Sequence, residues 1–175
     1  MKLKTAMAFG VSVLACGYAL AVAPPLTTSK TITIDAPAAK VWNAVKDFNG
    51  LATWHPALAS DEIVEGKNNS VGAVRLLTLK GGGTIKEKLL AFNPAGRSFK
   101  YAIVESVLPV SDYTSTLVVK PAGKDKSTVV WSGHFKRKDV RDNPDDKSND
   151  KAAVDAISGV YQSGLDNLKK MVEAQ

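Results

Sequence analysis

The pattern of apolar and polar positions is clearest at the carboxyl end of the chain, where it predicts one long helix from about Asp150 to Val172. Apolar side chains recur there at steps of three and four, which places them on one side of an α-helix. They are Val154, Ile157, Val160, Tyr161, Leu165, Leu168, Met171 and Val172. Gly164 lies near the centre of this stripe, so the buried face has a hollow. Close packing of the helix on a sheet and a cavity beneath the helix both explain it.

Earlier in the chain, alternation of polar and apolar residues predicts β-strands. The first is expected from Ser29 to Asp35, followed by a helix that Asp35 caps and that has Pro37 in its first turn. A short second helix is expected at 51–55, before Pro56. Six further strands are predicted at about 61–65, 71–80, 83–92, 97–105, 112–121 and 127–137. These elements predict an α+β fold in which one curved antiparallel sheet wraps around the terminal helix.

The first 23 residues differ from the rest. Lys2 and Lys4 precede an uncharged run that ends in small residues at alternate positions, which is typical of a secretory signal peptide. With cleavage after Ala21, the sequence predicts a signal peptide (1–21), a tether (22–28) and one domain (29–175), located in the periplasm or secreted. Two alternatives are lipid attachment at Cys16 and an uncleaved membrane anchor, for which the apolar run is barely long enough. Cys16 is the only cysteine, so cleavage excludes thiol catalysis.

The net charge of the chain indicates which classes of binding partner are expected. The full sequence carries a formal charge of +6; without Lys2 and Lys4, 21 basic and 17 acidic side chains remain, a surplus of +4. In an exported protein a basic surplus favours an acidic protein or an anionic membrane surface, and no nucleic-acid partner is expected. The sequence does not define an oligomeric state.

A series of short motifs extends through nearly all of the mature chain. They are Val41-Trp42 with Phe48, Trp54-His55-Pro56, Lys86-Glu87-Lys88-Leu89, Arg97 through Tyr101-Ala102-Ile103, Tyr113 with Ser115, and Tyr161 to Leu168. In order and spacing they resemble the SRPBCC superfamily, also called START-like or helix-grip proteins, which includes polyketide cyclases. The resemblance implies a helix-grip fold with a seven-stranded sheet, in which the sheet and the long helix enclose a hydrophobic pocket for a small ligand.

Within that superfamily, the export signal and the run of motifs look most like periplasmic MxaD-type proteins, which are encoded with methanol oxidation systems. This resemblance implies an accessory role, in which the protein assists electron transfer from methanol dehydrogenase to an acidic cytochrome c. A surplus of +4 suits a partner of that sign. Basic residues such as Lys136, Arg137 and Lys138 are the expected docking residues.

The resemblance also implies a set of inward-facing residues. These ligand-pocket residues are His55, Glu87, Tyr101, Tyr113, Ser132, His134, Val160 and Gly164. Two loops are expected at the pocket mouth, Gly81-Gly82-Gly83 and Leu108-Pro109-Val110. On the last strand, apolar residues occupy both faces; the prediction turns Ser132 and His134 inward, and a strand bulge would reverse it.

Candidate catalytic groups are few because the chain has two histidines. Either His55 or His134 with Glu87 would make a proton-transfer pair if the two side chains converge. The alternative is structural: His55 satisfies a helix end, and Glu87 pairs with Lys86, Lys88 or Arg75 on a surface. The histidines are about eighty residues apart without a carboxylate cluster, so no metal or other cofactor is expected. Three hypotheses remain: an accessory to a redox enzyme, a binder of a small hydrophobic ligand, and a cyclase or isomerase.

Overall fold

Seven strands form a single antiparallel sheet in the structure, a computed structural model that describes residues 25–174. The strands are β1 (Leu26–Ile34), β2 (Leu58–Glu65), β3 (Val74–Leu79), β4 (Thr84–Asn93), β5 (Ser98–Ser106), β6 (Val110–Pro121) and β7 (Ser127–Arg137). Their order is β1-β7-β6-β5-β4-β3-β2. Strands β2 to β7 are therefore neighbours in chain order, and β1 pairs with β7 at one edge of the sheet. Two short helices, α1 (Ala38–Val45) and α2 (Leu51–Trp54), connect the two edge strands.

The long helix α3 (Asp150–Glu173) packs against the inner face of this sheet. Its buried residues are Ala153, Ile157, Tyr161, Gly164, Leu165, Leu168 and Val172, which follow the predicted apolar stripe. Asn149 begins the helix, and its side chain accepts a hydrogen bond from the Ala152 amide at 2.9 Å. The predicted α+β helix-grip architecture is therefore confirmed.

Two predictions at the start of the domain are wrong. Strand β1 begins at Leu26, so residues 26–28, which the sequence interpretation assigns to a tether, belong to the sheet. Asp35 does not cap α1, because the cap position is Pro37 and Asp35 lies two residues too early for its carboxylate to reach the first free amides. Asp35 is instead exposed and forms an ion pair with Lys126 at 3.2 Å.

The predicted signal peptide, including Cys16, lies outside the described residues. Within residues 25–174, no helix combines the length and the apolar character needed to cross a membrane.

The sheet is incomplete next to one of the loops. Pairing between β5 and β6 ends at Ala102 and Thr114, while β6 continues along β7 through a bulge between Ser111 and Thr114. The ends of β5 and β6 therefore separate as they approach the loop that contains Leu108. This separation lies at the same end of the sheet as the β3–β4 turn at Gly81, because Ile85 of β4 pairs with Ser106 of β5.

Candidate functional site

A cavity of about 270 Å³ lies between the sheet and α3. Its wall is mostly apolar and comes from β3 (Leu77, Leu79), β4 (Ile85, Glu87), β5 (Tyr101, Ile103), β6 (Tyr113), β7 (Trp131), α3 (Ile157, Val160) and the region around α2 (Leu51, His55, Ala57, Leu58). Gly81 and Leu108, from the two loops at one end of the sheet, complete it. Strand alternation explains this wall, because every second residue of each strand faces α3.

The structure brings together most of the residues predicted for the pocket. His55, Glu87, Tyr101, Tyr113 and Val160 all line the cavity. Gly81 and Leu108 line it from the two loops predicted at its mouth. The other residues predicted there, Gly82, Gly83, Pro109 and Val110, do not contribute to the wall, and Val110 is buried in the core at the start of β6.

The prediction for β7 is wrong: Ser132 and His134 lie on the outer face of the sheet, away from α3. Trp131 and Phe135 are buried on the inner face, and Gly133 lies between them. A side chain at Gly133 would collide with the Tyr161 hydroxyl, which occupies that space. The inner face of β7 therefore carries two aromatic rings separated by a gap. Because both faces of β7 carry apolar residues, the sequence pattern did not show which face is the inner one.

The hollow at Gly164 is close packing, and Gly164 is not part of the cavity wall. A β-carbon placed there would lie 2.6 Å from His55 Cδ2 and 3.0 Å from Trp131 Cζ3. The two rings meet nearly edge to face, with an interplanar angle of 87°. The helix can approach these rings only because Gly164 has no side chain, so the glycine positions His55 rather than opening space for a ligand.

His55 uses both ring nitrogens inside the fold. Nε2 lies 3.0 Å from the Val160 carbonyl oxygen, which can only accept, so Nε2 carries the proton. Nδ1 accepts from the Ala57 amide at 3.3 Å. Burial lowers the pKa of His55, and the nearby Arg75 charge acts in the same direction against the Val160 hydrogen bond. The alternative proton-transfer pair of His55 and Glu87 therefore lacks a free imidazole nitrogen, and His134 is on the opposite face of the sheet.

Three tyrosine hydroxyls form a buried hydrogen-bonded chain beside the cavity. Ser115 Oγ donates to the Ser132 carbonyl at 2.8 Å, so it accepts from Tyr161 at 2.9 Å. Tyr161 has then used its proton, so Tyr113 donates to it at 2.5 Å. Tyr101 accepts from Trp131 Nε1 at 3.0 Å and lies 3.5 Å from the Tyr113 hydroxyl.

This chain leaves the Tyr101 proton weakly used, because 3.5 Å is longer than an ordinary O–H···O bond. Burial raises the pKa of Tyr101 to about 12, and the neighbouring Glu87 acts in the same direction. Burial also raises the pKa of Tyr113 and of Tyr161. All three phenols therefore keep their protons at neutral pH and act as hydrogen-bond partners.

A buried ion cluster supports the carboxylate in the cavity wall. Arg75 Nε donates to Glu87 Oε2 at 2.8 Å, and Nη2 lies 2.6 Å from the same oxygen. Arg75 Nη1 donates to the Phe48 carbonyl at 2.6 Å and contacts Asp61 Oδ2 at 3.4 Å. The guanidinium also lies 4.1 Å from the centre of the Phe48 ring. All three guanidinium nitrogens of Arg75 and one face of its plane therefore have contacts within the fold.

Burial and ion pairing have opposite effects on the pKa values of this cluster. Burial raises the pKa values of Glu87 and Asp61, and the attraction of Arg75 opposes part of each rise. Burial alone would lower the pKa of Arg75, but the two carboxylates raise it above the usual value. Arg75 therefore remains charged and holds both acids in place.

Two residues of the site, Arg75 and Asp61, were not predicted from the sequence. Arg75 was expected only as a surface partner of Glu87, yet the two are directly opposite on β3 and β4, each between inward-facing apolar neighbours. The apolar neighbours Ala73 and Leu77 on the same strand face were the available signal for an inward-facing Arg75. Asp61 offered no such signal, because its strand alternates weakly and its partner is the Leu51 amide at 2.8 Å, outside the sheet. Within residues 25–174, no group of three or more histidine, cysteine or acidic residues is arranged to hold a metal ion.

Solved structures of other proteins share the fold of this chain. A protein of Bacillus thuringiensis is 32% identical in sequence, with a TM-score of 0.74 over 84% of this chain and 98% of its own. The protein XoxI of Bacillus cereus is also 32% identical, with a TM-score of 0.73 over 83% of this chain and 94% of its own. The Zhui aromatase/cyclase of a Streptomyces species shares the fold, with 20% identity and a TM-score of 0.67 over 86% of this chain and 94% of its own.

A family model described as "Polyketide cyclase / dehydrase and lipid transport" matches residues 25–173. The match includes every described helix and strand. The chain therefore belongs to the polyketide cyclase/dehydrase and lipid transport family, within the helix-grip superfamily that its motifs resemble.

Proposed function

We propose that this protein binds a small apolar molecule in the cavity between its sheet and α3. The observation that carries the proposal is a largely apolar space of about 270 Å³ beneath a long helix, with a few polar groups in its wall. A protein interior is normally close-packed, so a largely apolar space of this size between packed elements is unusual unless something fills it. Gly81 and Leu108 from two loops also line the cavity, and in this proposal a ligand enters between these loops.

An apolar fluorescent probe tests this proposal. Val160 lines the cavity from α3, whereas Val71 is 66% exposed in the loop between β2 and β3. Val160→Phe places a ring in the cavity, so probe affinity should fall about tenfold or more. Val71→Phe makes the same chemical change on the surface and should leave probe affinity unchanged. Equal affinity in both folded variants, or no saturable binding to the wild-type protein, would contradict cavity binding.

A second candidate function is that of a periplasmic accessory to a dehydrogenase and an acidic cytochrome c. It is favoured by the motif resemblance to MxaD-type proteins together with the 32% identity to XoxI. In this proposal residues 1–21 direct export and the mature chain binds its partner through basic residues. The net surplus of 21 basic over 17 acidic side chains after Lys2 and Lys4 supports an acidic partner.

The basic residues first expected to dock this partner are engaged within the fold. Lys136 pairs with Asp112 at 2.8 Å, and Arg137 pairs with Asp150 at 2.7 Å. Lys138 donates to the Ser106 carbonyl at 3.0 Å. A better candidate is an outer lysine patch formed by Lys88, Leu90 and Lys100 on neighbouring strands β4 and β5, where neither lysine has an ion-pair partner among the described residues.

Stopped-flow reduction of cytochrome c by methanol dehydrogenase, with and without this protein, tests the second candidate. We expect acceleration at low salt that declines as salt rises, because exposed charges are screened over about 8 Å at physiological ionic strength. Charge reversal of Lys88 and Lys100 to Glu should abolish the acceleration, while Lys124→Glu in the β6–β7 turn should preserve most of it. No acceleration by the wild-type protein at low salt would exclude this function.

A further inference from the structure

Glu87 presents one unpaired oxygen to the cavity. Both of its contacts with Arg75 use Oε2, and no donor in residues 25–174 reaches Oε1. The residue is 5% exposed, and Oε1 is not among the fully enclosed polar atoms that lack a partner. Since Glu87 lines the cavity, the remaining accessible surface of Oε1 faces that space. A buried carboxylate oxygen without a donor is costly, and a ligand can supply the missing hydrogen bond.

The buried groups in and behind this wall carry more negative than positive charge. One guanidinium, Arg75, serves both Glu87 and Asp61, and all three side chains are almost fully buried. His55 adds no compensating charge, because both its nitrogens are used in its neutral form. The tyrosine hydroxyls beside the cavity are neutral. The surplus of carboxylate charge would therefore repel an anionic ligand group at close range. It would not repel a hydrogen-bond donor.

We propose that the ligand is a small apolar molecule that carries a hydrogen-bond donor, an O–H or N–H group, directed at Glu87 Oε1, and that the cavity rejects carboxylates such as fatty acids. This rests on the proposed cavity-binding function and specifies its ligand class. Tyr101, whose proton is weakly used, donates to the oxygen of a bound hydroxyl group. An alcohol or phenol would satisfy both side chains, and a protonated amine would satisfy Glu87 while offsetting the charge surplus.

Four ligands with the same six-membered carbon ring test the inference: cyclohexanol, cyclohexylamine and cyclohexanone, which are of nearly equal size, and the somewhat larger cyclohexanecarboxylate. Their affinities are measured by displacement of the apolar probe and by calorimetry at pH 7. We expect cyclohexanol or cyclohexylamine to bind about tenfold more tightly than cyclohexanone, and the carboxylate to bind most weakly. The order of the first two shows whether the preferred donor is neutral or cationic.

A single substitution should reverse this preference. In Glu87→Gln, the side-chain oxygen must accept from Arg75, so the amide NH₂ group faces the cavity in place of Oε1. The variant should bind cyclohexanone more tightly than cyclohexylamine. Glu62→Gln makes the same chemical change at an exposed position of β2 outside the cavity wall, so it should keep the wild-type order of cyclohexanol over cyclohexanone.

The possible results are distinct. Cyclohexanone binding as tightly as both donors to the wild-type protein would overturn donor selection, as would tight binding of cyclohexanecarboxylate, while cavity binding would stand. This ranking needs no variant, so a failure of Glu87→Gln to fold would not affect it. If neither the probe nor any of the four ligands binds, the proposed cavity function fails together with the inference.

Discussion

At the level of single residues, alanine substitutions at two glycines of α3 should change the stability of the protein in opposite directions. Gly164→Ala would place a methyl group against the packed rings of His55 and Trp131, with the nearest atom 2.6 Å away. We expect a loss of about 1–3 kcal/mol from overpacking. A β-carbon at Gly159 would meet nothing within 4 Å, and this residue is exposed, so Gly159→Ala should gain about 0.5–1 kcal/mol of helix stability. Urea unfolding measures both, and equal changes would contradict the assigned packing at Gly164.

His55 gives a prediction about pH. Its pKa is lowered in the folded protein, chiefly by burial, whereas the unfolded chain titrates near the ordinary value of 6.5. The unfolded state therefore binds more protons between the folded pKa and 6.5. The stability contributed by neutral His55 is present above pH 6.5 and is lost as pH falls through the folded pKa, with a slope of at most about 1.4 kcal/mol per pH unit.

The two histidines allow this slope to be assigned. Urea unfolding between pH 7.5 and pH 5 should show the stability loss in wild-type protein and in His134→Gln, whose side chain lies exposed on the outer face. His55→Gln should be less stable at pH 7.5 and should lose less stability on acidification. The same slope in all three proteins would exclude His55 as its source. Glu87 and Asp61 act in the opposite direction, because their raised pKa values favour the folded state at lower pH.

At the level of single residues, the sequence predicted the inward orientation of a side chain where its neighbours on the same strand indicated that orientation. The family resemblance implies that Glu87 faces inward, alternation with Ile85 and Leu89 agrees, and the structure places Glu87 in the cavity wall. Its support was not predictable in the same way, because Arg75 gains its meaning from the β3–β4 register and from a carbonyl of Phe48, 27 positions away. Long-range contacts of this kind leave no local pattern in the chain.

Among the elements, the cap of α3 offers a direct test. The Asn149 side chain accepts from the Ala152 amide and satisfies one of the free donors at the helix start. Asn149→Ala should cost about 1 kcal/mol in thermal or urea unfolding. Asn43→Ala makes the same change on the exposed side of α1, where alanine is the better helix former, so it should be neutral or slightly stabilising. A loss at Asn43 as large as that at Asn149 would argue against a capping role.

Elements with a strong period were predicted well, and elements with two apolar faces were not. The α3 stripe repeats along the whole helix, so a single shifted residue could not conceal it. In β7, Val130 on the outer face alternates with Val129 and Trp131 on the inner face, so hydrophobicity alone did not distinguish the two faces. Gly133 was the decisive residue, because its missing side chain admits the Tyr161 hydroxyl. Only the packing of a distant helix shows why a glycine is needed there.

At the scale of the whole molecule, the residues proposed to bind a ligand and those proposed to bind a partner lie on opposite faces of the sheet. The cavity lies on the inner side of the sheet and is lined at one end by the β3–β4 and β5–β6 loops, whereas the outer lysine patch of Lys88, Leu90 and Lys100 faces away from α3. The two proposed functions therefore need not compete, and the Val160→Phe variant should retain any salt-dependent effect on cytochrome reduction. Loss of both activities in that variant would instead indicate that the ligand links them.

The last prediction concerns the start of the mature protein. Cleavage after Ala21 would leave four residues, Val22 to Pro25, before β1 begins to pair with β7 at Leu26. Cleavage after Ala23 would put Pro24 at the new amino terminus, which signal peptidase tolerates poorly. We therefore expect protein purified from the periplasm to begin at Val22 and to be free of lipid, as measured by amino-terminal sequencing and intact mass. A lipid-modified Cys16, or an intact amino terminus at Met1, would contradict this cleavage and favour membrane attachment.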